Sequence, residues 1–183
     1  GDWVTLHFNG VRYFDKPPFL YWLTALSIRE WGPTEWACRL WPALGALAAL
    51  AGTAILGARL LSFQGGCVAG VGLLTSVGFF AYARYLRPET LFVAAIQWGL
   101  VLLLLSRDGS RLLAILGCGA LGLAALTKDF FGAVGPLVAI ALALAIGRQL
   151  RSVSAWLPRS GIALLLALGA SWYILVELRN PGF

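Results

Sequence analysis

The sequence predicts an all-α fold: a polytopic bundle of about six transmembrane helices, preceded by an N-terminal loop that carries an interfacial helix. Three observations point there. Of the 183 residues, 60% are hydrophobic and only 12% are charged, whereas a soluble domain carries about 25% charged residues. The apolar residues gather into six runs of membrane-spanning length. Those runs lack strand-like alternation, and in lipid a helix satisfies its own backbone. A single soluble domain is excluded, and so is a disordered chain, because there is ample apolar surface to bury.

Residues 1–35 are mixed polar and aromatic, and residues 36–183 hold the bundle. The apolar runs cover roughly 38–61, 66–83, 88–106, 112–127, 130–147 and 158–178. Short polar connections separate them. Gly66/Gly70, Gly45/Ala49 and the many alanines allow helices to approach closely. The chain has no Met, opens on Gly1-Asp2-Trp3 and ends just after an apolar run, which predicts an internal piece of a longer protein.

The net charge is +6. The basic residues stand singly between apolar runs, so they suit anionic lipid better than nucleic acid. With the runs alternating across the membrane, one face (side A) carries residues 1–35, 84–87, 128–129 and the C-terminus. Eight basic residues fall on side A and six on side B, so counting positive charges does not orient the chain. Seven of the eight acids fall on side A, leaving only Asp108 on side B. Side B is therefore the cytoplasm-like face, and the mixed charges of side A suggest chemistry. Cys38, Cys67 and Cys118 form no CxxC pair and are expected as small buried hydrophobes.

Gly117-Cys118-Gly119-Ala120-Leu121-Gly122 matches GxGxxG but lies inside an apolar run. A dinucleotide site needs a strand before the motif and an acid about 20 residues on. Helix packing is the expected role, and no nucleotide cofactor is implied.

Three stretches carry candidate chemistry. In Tyr13-Phe14-Asp15-Lys16-Pro17-Pro18, the prolines favour an extended entry into a helix. Phe19 to Leu23, including Tyr21 and Trp22, then make an aromatic interfacial face. Lys16 would sit at the depth of a lipid phosphate, with Asp15 beside it to orient the lysine, hold a cation or act on a hydroxyl. An ordinary interfacial anchor with a snorkelling lysine explains the same residues. In Arg84-Tyr85-Leu86-Arg87-Pro88-Glu89, two arginines could clamp an anion beside a carboxylate. A plain helix start with Glu89 on the favourable end of the dipole is the alternative. Lys128 sits in a tight turn near the membrane boundary, where a charge is costly without a partner. It could share a phosphate with Lys16 or pair with Asp129. His7 has no second histidine or thiol cluster beside it, which argues against a zinc site. Gln97, deep in a run, suits one helix–helix hydrogen bond.

Taken in order, Gly1-Asp2-Trp3-Val4-Thr5, Asn9-Gly10, Phe14-Asp15-Lys16-Pro17-Pro18, Glu35 to Leu40, Arg87-Pro88-Glu89, Leu126-Thr127-Lys128, Trp172-Tyr173 and Arg179 to Phe183 resemble bacterial GT-C glycosyltransferases. The resemblance is to the aminoarabinose lipid A transferases of the protein O-mannosyltransferase superfamily. It implies a GT-C-like bundle in the bacterial inner membrane, with residues 1–35 periplasmic. It also implies transfer of a sugar from a polyprenyl-phosphate donor to a lipid A-like, glycan or protein acceptor. By resemblance Lys16 and Lys128 contact the lipid phosphate, and Asp15 stands at a position associated with a divalent cation. Glu89 occupies a second acidic position. Asp15, Lys16 and Glu89 are then the catalytic candidates. Lys16, Arg84, Arg87, Lys128, Tyr21 and Trp22 are the substrate-binding ones. The family's Asp-Glu base pair would precede Gly1, so this stretch alone is expected to be inactive, and Asp129 replaces a usual glycine. The competing function is a transporter or flippase for a lipid-linked substrate, which calls for broken helices and polar midplane residues. A non-catalytic scaffold is the third.

Overall fold

The computed structural model describes residues 2–182, with Arg151 described by its backbone alone. Gly1, Phe183 and the Arg151 side chain, each counted in the sequence reading, lie outside the described residues.

The chain enters through a β-hairpin, β1 (Leu6–Phe8) and β2 (Val11–Tyr13), paired antiparallel with His7 opposite Arg12. Asn9 and Gly10 form its two-residue turn with φ of 51° and 81°, as a type I′ turn requires. His7, expected in a loop, lies on β1, and Asn-Gly is the sequence signal for the turn that follows it. Pro17 and Pro18 then lead into α1 (Phe19–Trp31), a helix where one was expected.

The bundle follows as α2 (Glu35–Leu60), α3 (Phe63–Leu74), α4 (Val77–Tyr82), α5 (Glu89–Leu105), α6 (Arg111–Thr127), α7 (Phe131–Ile146), α8 (Val153–Trp156) and α9 (Arg159–Arg179). Among the described residues, three segments are long and apolar enough to span a membrane: Glu35–Leu60, Glu89–Asp108 and Arg159–Arg179. At 17 and 16 residues, α6 and α7 reach roughly 25 Å, just under the thickness of a hydrocarbon core. On α7, Phe131, Val134, Val138, Leu142 and Ile146 are all exposed. Their helical spacing makes one apolar stripe, which lipid would cover.

One expected span is corrected. The run 66–83 is two helices, because the ladder breaks at Thr75–Ser76. The Thr75 hydroxyl turns back onto the carbonyls of Val71 and Gly72 at 2.9 and 3.3 Å. Ser76 then takes an extended backbone. The Thr75 hydroxyl competes for backbone groups that the continuing helix would use. Cys67 is a second correction. It is exposed on α3, while Cys118 is buried as expected and Cys38 is half-buried.

Small residues hold the helices together. A methyl at Gly66 would collide with the carbonyl oxygen of Ala54 on α2. On α6, a methyl at Gly117 would lie 2.8 Å from Leu103 of α5, and one at Gly122 would lie 2.7 Å from the Leu165 carbonyl oxygen of α9. The GxGxxG run is therefore packing surface for two neighbours. Around it, Leu103, Cys118, Leu121, Ala125 and Ile140 form the main core. Gln97 donates to Thr53 at 2.7 Å, joining α5 to α2 as expected.

Gly122→Ala is expected to cost about 1–3 kcal/mol through overpacking. Gly72→Ala, where a methyl meets nothing within 4 Å, is expected to leave stability unchanged or raise it. Thermal unfolding of both variants in one detergent checks this, and equal losses would contradict it.

Candidate functional site

Helix direction decides what can meet. α5 and α6 run antiparallel, so the start of α5 lies beside the end of α6. Glu89 is the first residue of α5 and Lys128 is the C-cap of α6. Each sits on the end of the helix dipole that favours its own charge. They meet with Lys128 Nζ 3.8 Å from Glu89 Oε1, and the two side chains are only 29% and 26% exposed. That separation is too long for a hydrogen bond. Lys128 also lies over the Phe92 ring at 5.4 Å. Glu89 Oε2 is buried with no hydrogen-bond partner. A carboxylate oxygen left bare costs free energy unless something binds it. The pair thus offers an incompletely used ammonium and an unused acceptor at one point on side A.

Lys128 pairs with Glu89 and not with Asp129, the second of its two alternatives in the sequence. Asp129 instead accepts from the Phe131 backbone N–H at 3.0 Å, in the turn that leads into α7.

Lys16 reaches the same end of the bundle by packing. Phe14, Phe19 and Trp22 rest on Leu126, Trp172 and Val176, so the Asp15-Lys16 step is held against the end of α6 and the end of α9. Lys16 Nζ lies 3.3 Å from Asp15 Oδ2, and that oxygen also accepts from the Tyr13 hydroxyl at 3.2 Å. Asp15 therefore orients the lysine. Among the described residues no three His, Cys, Asp or Glu side chains come together around it.

The remaining candidates separate. Trp22 donates its indole N–H to the Trp3 carbonyl at 2.8 Å and packs in the cluster, which is a docking role. Tyr21 meets Tyr13 edge-on and lines a cavity of about 280 Å³ with His7 and Phe8. Burial first, and Tyr13 second, push its phenol up to about 12, so it is a neutral donor at ordinary pH. Arg84 stacks over Phe80 at 4.4 Å, and Arg87 is exposed in the turn before α5. Neither has a carboxylate partner among the described residues.

The anchoring of residues 2–5 leaves no local signal in the sequence. Trp172 donates to the Val4 carbonyl at 2.9 Å, and Asn180 donates to the Thr5 hydroxyl at 2.9 Å. Asp2 accepts from the Val4 and Thr5 amides and faces Arg179 at 3.4 Å. The first loop is thus tied to the side-A end of α9, 168 residues away for the Trp172 bond.

A polytopic helical membrane protein with a lysine–carboxylate site at one end is the class this fold and site define. A family profile described as dolichyl-phosphate-mannose-protein mannosyltransferase matches residues 15–173, and the chain belongs to that family. It is 31% identical over its whole length to the undecaprenyl phosphate-alpha-4-amino-4-deoxy-L-arabinose arabinosyl transferase 2 of Pseudomonas fluorescens, spanning 32% of that protein. It is also 31% identical to the corresponding transferase of Aeromonas hydrophila, spanning 34% of it. The crystal structure of ArnT from Cupriavidus metallidurans bound to undecaprenyl phosphate superposes with a TM-score of 0.89 at 26% identity, covering all of this chain and 35% of that one. The chain spans about a third of the length of these relatives.

Asp2 titrates below its ordinary value of 3.8, chiefly because the Val4 and Thr5 amides hold the charged form. A lowered folded value means the clamp contributes fully above the unfolded value and is lost as pH falls through the folded one. Amide hydrogen exchange at Val4 and Thr5 is therefore expected to lose protection below pH 3.8. Asp2→Asn is expected to lose it already at neutral pH. Unchanged protection in the variant would contradict the clamp.

Proposed function

We propose that this chain is the lipid-phosphate end of a membrane glycosyltransferase, one that takes a sugar from a polyprenyl-phosphate donor. The observation that carries the reading is the Glu89–Lys128 pair, with its loose 3.8 Å contact and a bare Glu89 Oε2. Family membership supports the reaction class. The relatives' names give an undecaprenyl-phosphate-linked amino sugar as what they act on, and the superposed ArnT was crystallised with undecaprenyl phosphate.

In this reading the bond between the sugar's anomeric carbon and the phosphate oxygen breaks. The phosphate departs with the electron pair, and an acceptor oxygen bonds to the same carbon. Lys128, with Lys16 held by Asp15, stabilises the negative charge that grows on the departing phosphate. Arg84 and Arg87 extend that field without a fixed carboxylate partner. Glu89 Oε2 accepts from a hydroxyl or amine of the bound sugar, which orients the anomeric carbon. The acceptor's proton passes to a carboxylate base, assigned to a residue outside these 183. The Tyr13 and Tyr21 rings offer an aromatic wall to the sugar. Side A is the periplasmic face in this account, and the acceptor is a lipid A-like, glycan or protein hydroxyl or phosphate.

The break between α3 and α4 favours the flippase reading, since interrupted helices line transport paths. The Thr75 hydroxyl there is satisfied by its own helix, however.

Sugar transfer by the full-length protein tests the proposal. Lys128→Ala is expected to lower kcat by about 10²–10³. Glu89→Gln, nearly isosteric, is expected to lower kcat/KM at least about tenfold. Wild-type lipid translocation without sugar transfer would replace this reading with the flippase. Full transfer activity in both variants would overturn the roles assigned to the pair.

A further inference from the structure

At the opposite end of the bundle the chain builds a second charged site. A cavity of about 540 Å³ opens where α6 and α9 begin, lined by Arg107, Ser110, Arg111, Ser154 and Arg159. Three guanidiniums face it. The acid nearest in sequence, Asp108, is taken by Arg59 at 2.8 Å. Arg111 and Arg159 have no carboxylate partner among the described residues. α9 starts with Pro158 as N-cap, which supplies no side-chain cap to the first amides. The positive end of a 21-residue helix therefore adds to the arginines.

A second cavity, apolar and about 410 Å³, lies between α2, α5 and α7 and is lined by Leu56, Leu104, Ala139 and Ala143. Arg107 lines both cavities. Its guanidinium lies over the Trp156 ring at 5.2 Å, and Trp156 lines the apolar one. The arginine is thus fixed at the junction of a cationic chamber and a greasy groove.

We infer that this composite site holds one anionic phospholipid, its phosphate in the arginine cavity and an acyl chain in the groove. A free anion would use the chamber but leave the groove without a role. A zwitterionic lipid would bring a cation toward three arginines. The site lies at the other membrane face from Glu89 and Lys128, and its argument does not depend on the transferase reading.

Native mass spectrometry of the full-length protein tests this, with phosphatidylglycerol and phosphatidylcholine of identical acyl chains as probes. Wild type is expected to retain phosphatidylglycerol at least about tenfold over phosphatidylcholine, because arginines near the headgroup favour a lipid of net negative charge. The Arg107→Gln, Arg111→Gln, Arg159→Gln variant is expected to lose that preference, as is Arg111→Gln alone in part, should the triple variant fold poorly. Ala143→Phe fills the groove from an exposed position and is expected to weaken lipid retention while leaving inorganic phosphate binding intact. A preference that survives the arginine changes would overturn the site. Undiminished lipid retention in Ala143→Phe, with full displacement by inorganic phosphate in wild type, would mark a free-anion site and overturn the lipid.

Discussion

Close approach of α6 to its neighbours is the constraint on which the rest depends. Lipid supplies no hydrophobic force between helices, so packing and hydrogen bonds must hold them. α6 meets α5 through Gly117 and α9 through Gly119 and Gly122. With no side chain at those points, the backbones come within reach of each other. That closeness sets the height at which α6 ends. Its last turn delivers Lys128 to the first residue of α5, where Glu89 is already favoured by the helix dipole. The same helix offers Leu126 as the surface on which Phe14, Phe19 and Trp22 rest. The site is a consequence of helix packing, and the first loop packs beside it against the end of α6.

The two ends of the bundle use charge differently. On side A, acids and bases meet in pairs: Asp15 with Lys16, Glu89 with Lys128, Asp2 with Arg179. Two of these pairs orient a lysine while leaving it donors to spare. On side B, Asp108 is spent on Arg59, and arginines accumulate around an open cavity. An ordered lysine suits a substrate that must bind, react and leave. A surplus of guanidiniums suits an anion that stays. The membrane supplies a low-dielectric wall to both ends, which strengthens either arrangement relative to water.

Much of this was legible in the chain, for physical reasons that differ by element. Five of the six apolar runs appear as helices within a few residues of their sequence bounds, because hydrophobic length is a strong signal when lipid is the solvent. The packing role of Gly117, Gly119 and Gly122 was legible because no strand precedes them. The Thr75–Ser76 break was not, because two small hydroxyl residues barely lower the hydropathy of an apolar run. The hairpin was missed although Asn9-Gly10 announces it, since alternation over three-residue strands is too short to register. Glu89 and Lys128 each stood out singly, but nothing local shows that they face each other. Trp22 reads as aromatic substrate surface, yet it spends its indole N–H on the backbone of the first loop, as Trp172 does from α9. One-dimensional pattern carries burial and helix ends well, and it carries pairings across the bundle poorly.

The central claim is that the end of α6 and the start of α5 form a lipid-phosphate site. Equilibrium binding of undecaprenyl phosphate to the full-length protein, compared between wild type and Lys128→Ala, tests it most directly. The account predicts saturable binding that weakens at least about tenfold on losing one charge-assisted phosphate contact. Equal affinity in the two proteins, with the variant folded, would contradict it and leave Lys128 as no more than Glu89's counter-ion.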